Sequence, residues 1–394
     1  MTPTESRWRH SASRRKALAG LAGFLSGAIR LPGQQDRYRG HVRVAGLEEM
    51  RDVFDFEAAA YERLDRETYN FTARGGASEF TVRRNREAFD WVRLLPAAVR
   101  GTGSPDASGE ILGTKFRYPL LLAPTAAHVA LHPDKEEGTY EGCTKAAETP
   151  MILSHAASMT FADLAKNNGA PLWFQLYARR EMEQNREPCT SAEDAGAKAI
   201  VVTVDQQASY YDRAYHDRNL SLRPRRPPRR TGNAARYRFS EGRIWYEWKM
   251  FEALRSMVQV PLLVKGLLTG EDAAIAVETG LDGVIVSNHG GRTLDYTPST
   301  LEVLPEIVEA VAGRIPVLFD SGIRRGGDIL KALALGADAV CVGRIYRWGL
   351  GSFGVPGVTR VLEMVQGELE GSMVRCGAAS LASIGPSMVR TDFP

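Results

Sequence analysis

The sequence predicts an α/β fold: a (β/α)8 TIM barrel with an N-terminal helical extension and a long loop after strand 4. Three observations predict it. Eight short apolar runs recur between residues 118 and 344, each followed by a stretch of helical spacing. The runs are continuously apolar, as strands of a parallel sheet covered on both faces are. Every run also exits into a polar or phosphate-suited residue, as expected of a barrel whose site lies at the C-terminal ends of its strands.

The runs are, in order, YPLLLAPTA, PMILSHA, PLWFQLY, AIVVTVD, PLLVKG, GVIVSNHG, PVLFDSG and AVCVGR. Segments such as TGEDAAIAVETG, STLEVLPEIVEAVAG and GGDILKALALGA supply helices between them. Residues 118–394 therefore form the barrel. An open doubly wound sheet is the alternative, but its glycine fingerprint belongs in the first βα turn, and no G-x-G-x-x-G stands there. Residues 30–117 read as the helical extension. LEEMRDVFDFEAAAYERLD has helical spacing, the turn ARGGASEFT follows, and RRNREAFDWVRLL reads as a second helical piece.

The 394 residues are 44% apolar and 25% charged, which excludes wholesale disorder. Cys143, Cys189, Cys341 and Cys376 form no C-x-x-C pair, so neither a disulfide scaffold nor a metal site is expected. Residues 1–28 differ from the rest. Arg14 and Arg15 precede a short apolar run that ends at Ser26-Gly27-Ala28, the pattern of a twin-arginine-type export signal. Export to the periplasm is the expectation, with a cytoplasmic protein bearing a basic leader as the alternative. Removing the leader takes five basic and one acidic side chain, and the net charge falls from +3 to −1. The formal basicity thus says little about partners.

The loop after strand 4, residues 206–245, holds ten arginines. Its prolines exclude a helix, and a solvated flap over the site is the plain expectation, with peripheral contact to anionic lipid as the functional one. Only Tyr237 and Phe239 are aromatic near the arginine run, so no nucleic acid is expected.

The strand exits carry the chemistry. They are Thr125, Ser154, Gln175 with Tyr177, Thr203 with Asp205, Lys265, Ser287 with His289, Asp320 with Arg324, and Gly343 with Arg344. Glycines beside Arg324 and Arg344, in the loops after strands 7 and 8, suit a phosphate. Lys265 ends a buried strand, which is costly unless a partner faces it. An imidazole is a natural general base, so His289 suits that role, Asp205 would orient it, and Arg292 can fork onto a carboxylate. Base and clamp together suggest proton abstraction next to a carboxylate.

With these residues in view, SNHGGRTLD and its ordered companions APTA, FQLY, TVD, LVKG, FDSGIRRGGD and GADAVCVGR resemble the FMN-dependent α-hydroxy-acid oxidases and dehydrogenases. Glycolate oxidase, lactate oxidase, lactate monooxygenase and mandelate dehydrogenase belong to that family. The resemblance runs from about residue 45 to the end. It implies a TIM barrel that binds FMN and oxidises a 2-hydroxy acid to the 2-oxo acid, a histidine base removing a proton and the flavin accepting two electrons. Thr125, Ala126, Ser154, Gln175, Thr203, Lys265 and Ser287 would contact the flavin ring and ribityl chain. Asp320, Gly322, Arg324, Gly343 and Arg344 would hold the ribityl and phosphate groups. His289 would be the base, Asp205 its partner, Tyr177 a hydroxyl donor and Arg292 the carboxylate clamp. The electron acceptor would be oxygen, a quinone or a cytochrome, and the assembly a homo-oligomer, commonly a tetramer.

Three substrate positions depart from the family pattern. Phe71 stands where the family has a carboxylate-binding tyrosine. The family's second arginine is shifted to Arg213, with Asp212 in its place. Ala156 replaces the tryptophan of glycolate oxidase and would enlarge the pocket. The expectation is a bulkier substrate with fewer carboxylate contacts. Two alternatives follow: oxidation of a related hydroxy- or amino-compound lacking an ordinary carboxylate, or a flavin-loaded binding protein without turnover.

Overall fold

The computed structural model describes residues 46–207 and 243–394. The leader expected at 1–28 and the segment 208–242 of the long loop, Arg213 included, lie outside the described residues.

All eight expected strands are present: β1 (Leu120–Leu122), β2 (Met151–Ser154), β3 (Leu172–Leu176), β4 (Ile200–Thr203), β5 (Leu262–Leu267), β6 (Gly283–Val286), β7 (Val317–Asp320) and β8 (Ala339–Val342). Each pairs in parallel with the next, and β8 returns to β1, so the sheet closes. A helix follows every strand, from Lys135–Lys145 after β1 to the long Arg344–Cys376 after β8. The helix starts follow local chemistry. Ser299 and Glu302 form a capping box, and the Thr269 hydroxyl accepts from the Asp272 N–H.

The strand period of two sorts the inward side chains into layers. Leu121, Ile152, Trp173, Val201, Leu263, Ile285 and Leu318 fill the barrel's apolar interior. Two residues further on, strands 2 to 7 present Ser154, Gln175, Thr203, Lys265, Ser287 and Asp320, all buried. The barrel thus changes from apolar to polar along its axis, toward the C-terminal ends of the strands.

The extension differs from its expected all-helical form. A hairpin of Gly109–Ile111 and Thr114–Phe116 adds Ile111 and Phe116 to the interior cluster, and Trp173 Nε1 donates to Thr114 Oγ1 at 2.8 Å. The piece RRNREAFDWVRLL is also not one helix. The helix Phe80–Glu87 ends in a 3₁₀ turn, and Val92–Leu94 pairs antiparallel with Val389–Thr391. Strand pairing with the C-terminal segment overrides the local helical spacing there. From residue 46 onward the extension belongs to the same compact unit as the barrel, its helix Val53–Arg63 packing on Arg344–Cys376.

Three contacts sew the extension to the mouth of the barrel. Asn85 and Asn288 exchange two buried amide hydrogen bonds, 2.9 and 2.8 Å. Arg86 donates to the Gly322 carbonyl. Asp295 accepts from the Ser78 N–H and hydroxyl and from the Thr81 N–H, 2.9, 2.5 and 2.9 Å. Burial pushes the Asp295 carboxyl up, but these hydrogen bonds outweigh it and hold the group at about 2. Because the folded value lies below the unfolded one, the stabilisation is present above the ordinary carboxylate range and fades as pH falls toward 2. Asp295→Asn should therefore destabilise the protein by about 1–3 kcal/mol at pH 7. Denaturant melts should show the gap between wild type and variant narrowing below pH 4; a gap independent of pH would contradict this role.

Candidate active site

The stretch SNHGG leaves β6 with His289, Gly290 and Gly291 all in left-handed backbone, φ 57°, 68° and 73°. Three such residues in succession turn the chain sharply enough to place the imidazole over the barrel mouth. Glycine is required at 290 and 291. A Cβ at 290 would lie 2.6 Å from Arg344 Nη1, and one at 291 would lie 2.7 Å from the Val82 backbone N.

His289 Nδ1 lies 2.8 Å from Asp205 Oδ1, at the exit of β4. Burial pushes the Asp205 carboxyl up, but His289 and Lys265 outweigh it and hold it below the usual range. An ionised carboxylate only accepts, so the Nδ1 position carries the proton and Nε2 presents its lone pair. The Gln206 amide lies 3.0 Å from that Nε2 and donates to it.

A second cluster lies beside the first. Lys265 Nζ donates to Ser287 Oγ at 2.8 Å and sits 3.3 Å from Asp320 Oδ2, which accepts from the Ser287 hydroxyl at 2.5 Å. Burial disfavours the ammonium, but Asp320 and Asp205 outweigh it and raise the Lys265 pKa. The lysine is therefore a fixed buried cation. Ser287 links the two clusters, accepting the His289 N–H at 3.0 Å.

On the opposite wall Ser154 donates to Gln175 Oε1 at 3.1 Å. Gln175 Nε2 and Thr203 Oγ1 are buried and have no hydrogen-bond partner among the described residues. Buried polar atoms are almost always partnered, so two orphans on neighbouring strands at the mouth point to a ligand with its own donors and acceptors. Thr125 Oγ1 bonds to His128 Nε2 and Tyr346 OH, 2.8 and 2.7 Å.

Arg324 and Arg344 come together at the β7 and β8 exits with Gly322 and Gly343, lining one cavity of about 400 Å³. Arg344 donates to the Thr72, Gly290 and Arg74 carbonyls. Burial and the neighbouring Arg324 and Arg292 lower its pKa to about 9. Like charges gathered at one cavity wall fit an anion such as a phosphate. Phe71, Ala126, Ala156, Tyr177, His289 and Arg292 line the same cavity. Arg292 Nη1 donates to the Phe71 carbonyl at 2.5 Å, its guanidinium 4.9 Å from the centre of the Phe71 ring. The structure thus gathers every candidate residue except Arg213, which lies outside the described residues.

Sequence reasoning missed three residues that share this space. Gln206 touches the imidazole. Arg243 stacks on the Tyr177 ring at 4.1 Å and lines the cavity. Arg347 donates to Thr125 Oγ1 and the Ala126 carbonyl. Only Arg347 carried a sequence signal. It stands three residues after Arg344, one turn along a helix.

A closed parallel barrel with a buried lysine, an oriented histidine and an anion cradle at its mouth defines a flavin-dependent oxidoreductase. Comparison with known proteins agrees. Residues 60–391 match the family model described as FMN-dependent dehydrogenase. The chain is 38% identical over 359 residues to peroxisomal (S)-2-hydroxyacid oxidase GLO3 of Arabidopsis thaliana, covering 88% of this chain and 98% of that protein. It is 36% identical to glycolate oxidase 1 of Oryza sativa subsp. japonica, covering 87% and 96%. A crystal structure of mandelate oxidase with (S)-2-phenylpropionate superposes with a TM-score of 0.77 at 34% identity, covering 87% of this chain and 98% of the other. The chain belongs to the FMN-dependent dehydrogenase family, and its cofactor is FMN.

The orphaned hydroxyl gives a test of the fit. In flavin-free protein Thr203→Val should be neutral or stabilising, because it removes an unsatisfied buried group; in FMN titrations it should weaken affinity by about 1 kcal/mol. Destabilisation of the flavin-free form with unchanged FMN affinity would remove Thr203 from the cofactor site.

Proposed function

We propose that the protein oxidises a 2-hydroxy acid to the 2-oxo acid, with the roles that follow. The observation that carries this reading is the Asp205–His289 pair, 2.8 Å apart, on a cavity wall shared with Arg292. FMN, when bound, supplies the acceptor for the two electrons that leave the substrate. Gln175, Thr203, Lys265 and Ser287 would hold its ring, and Arg324 and Arg344 its phosphate. Lys265, a cation fixed in a dry site, favours negative charge beside it.

Arg292 holds the substrate carboxylate, and Tyr177 offers its hydroxyl across the cavity. The substrate displaces Gln206 from His289, whose Nε2 takes the proton. Asp205 stabilises the imidazolium that results and keeps the ring turned toward the substrate. Ala156 is exposed on the wall and leaves room for a side chain larger than that of glycolate. Support comes from relatives named for glycolate, (S)-2-hydroxyacids and mandelate. Export through residues 1–28, homo-oligomer assembly and lipid contact by the loop 206–245 are proposals from sequence, tested by cell fractionation, light scattering and vesicle flotation.

His289→Gln should retain FMN while the anaerobic rate of flavin bleaching by substrate falls roughly 10²–10⁴-fold. An unchanged rate would dismiss His289 as the base. Ala156→Trp should raise KM for mandelate roughly tenfold or more while sparing glycolate. Equal effects on both acids would place the substrate side chain elsewhere.

A further inference from the structure

Arg347 is buried, 3% exposed, in a wall of the substrate cavity. Its hydrogen-bond acceptors among the described residues are all neutral: Thr72 Oγ1 at 3.1 Å, Thr125 Oγ1 at 3.1 Å and the Ala126 carbonyl at 2.7 Å. Its Nη2 is buried and has no hydrogen-bond partner among the described residues. The carboxylate whose field reaches it, Glu136, forms no ion pair with it; its Oε1 accepts from the N–H groups of His128 and Ser158, and its buried Oε2 has no hydrogen-bond partner among the described residues. A buried guanidinium without a paired carboxylate is costly, and an anion bound in the cavity would offset that cost.

The position of the charge says which anion. Arg347 lies over the Phe71 ring, 5.7 Å from its centre, and Arg292 lies over the same ring at 4.9 Å. Two guanidiniums that repel one another converge on one half-exposed side chain, at the position where the resembled family places a carboxylate-binding hydroxyl. The phosphate-suited Arg344 adjoins them, sharing the Arg74 carbonyl with Arg292 and residue Thr72 with Arg347, but among the described residues only Arg292 and Arg347 lie over the Phe71 ring.

We infer that Arg347 is a second anion-reading residue of the substrate site, acting with Arg292 on the substrate carboxylate across Phe71. Arg292 faces the carboxylate directly. Arg347 contributes its charge from behind the ring, and its Nη2 once the ring turns. The charge replaces the hydroxyl that Phe71 lacks, so carboxylate recognition is rebuilt and not lost. This inference rests on the 2-hydroxy-acid reading above.

The test measures binding without turnover. Phenylacetate and propionate, which lack the 2-hydroxyl, and the neutral phenylacetamide are titrated into FMN-loaded enzyme, and perturbation of flavin absorbance gives each Kd. Arg347→Met should weaken phenylacetate roughly ten- to hundredfold, leave phenylacetamide unchanged, and retain FMN. Equal weakening of acid and amide would mean a structural role, and no weakening of either would mean no role; both overturn the inference. If Arg347→Met does not fold or hold FMN, Arg347→Lys decides. With charge kept but the fork lost, the acid alone should weaken, by severalfold. If wild-type enzyme holding FMN binds neither phenylacetate nor propionate, the 2-hydroxy-acid reading falls, and this inference with it.

Discussion

Everything functional in this molecule depends on one constraint: a closed parallel barrel has a single inward face, and every second residue must enter it. Below the mouth that face is apolar and plugged by the hairpin that carries Ile111 and Phe116. At the mouth the same register forces Ser154, Gln175, Thr203, Lys265, Ser287 and Asp320 inward. Lys265, Ser287 and Asp320 satisfy one another, while Gln175 and Thr203 keep orphaned atoms. The protein holds a half-completed polar layer, which FMN would complete in the function proposed above. The cost of that incompleteness is borne by the packed core beneath and by the helices outside.

His289 stands on this layer without belonging to it. Ser287 is inward, His289 lies two residues beyond the strand, and the left-handed turn through Gly290 and Gly291 carries the imidazole over the mouth. The turn is held from outside by the extension, through the Asn85–Asn288 amide pair and the Asp295 cap on Ser78 and Thr81. The last residue of SNHGGRTLD is thus structural, while its histidine faces the cavity. One short motif reads as a unit because a misplaced Asp295 would move His289. The arginines follow a related logic. Arg292, Arg344 and Arg347 cluster against backbone carbonyls and the Phe71 ring, a gathering of like charge that an anionic cofactor and an anionic substrate would together relieve.

The barrel was legible in the sequence because its signals are local. Apolar runs of four to six residues, glycine turns and helix caps specify each βα unit, and the register of each strand follows from its own pattern. The site was legible because the barrel places strand exits together, so Asp205, Lys265 and His289 could be assembled from position alone. The hairpin at 109–116 and the strand at 92–94 were not legible. The hairpin is local, but its strands of three residues are too short to show a period, and the partner of Val92–Leu94, Val389–Thr391, lies far along the chain. Gln206, Arg243 and Arg347 were missed because their roles come from side-chain direction. A glutamine beside an aspartate and one arginine among the ten of a basic loop look ordinary in sequence, and Arg347 offered only its spacing of one helical turn from Arg344.

The central claim is that the polar mouth of the barrel and the Asp205–His289 pair together perform flavin-dependent oxidation of 2-hydroxy acids. Its most direct test is anaerobic mixing of the FMN-loaded protein with glycolate, lactate and mandelate in turn. The account predicts that at least one acid bleaches the oxidised flavin band and yields one equivalent of 2-oxo acid per flavin. A fully loaded protein whose flavin band survives every 2-hydroxy acid would contradict it.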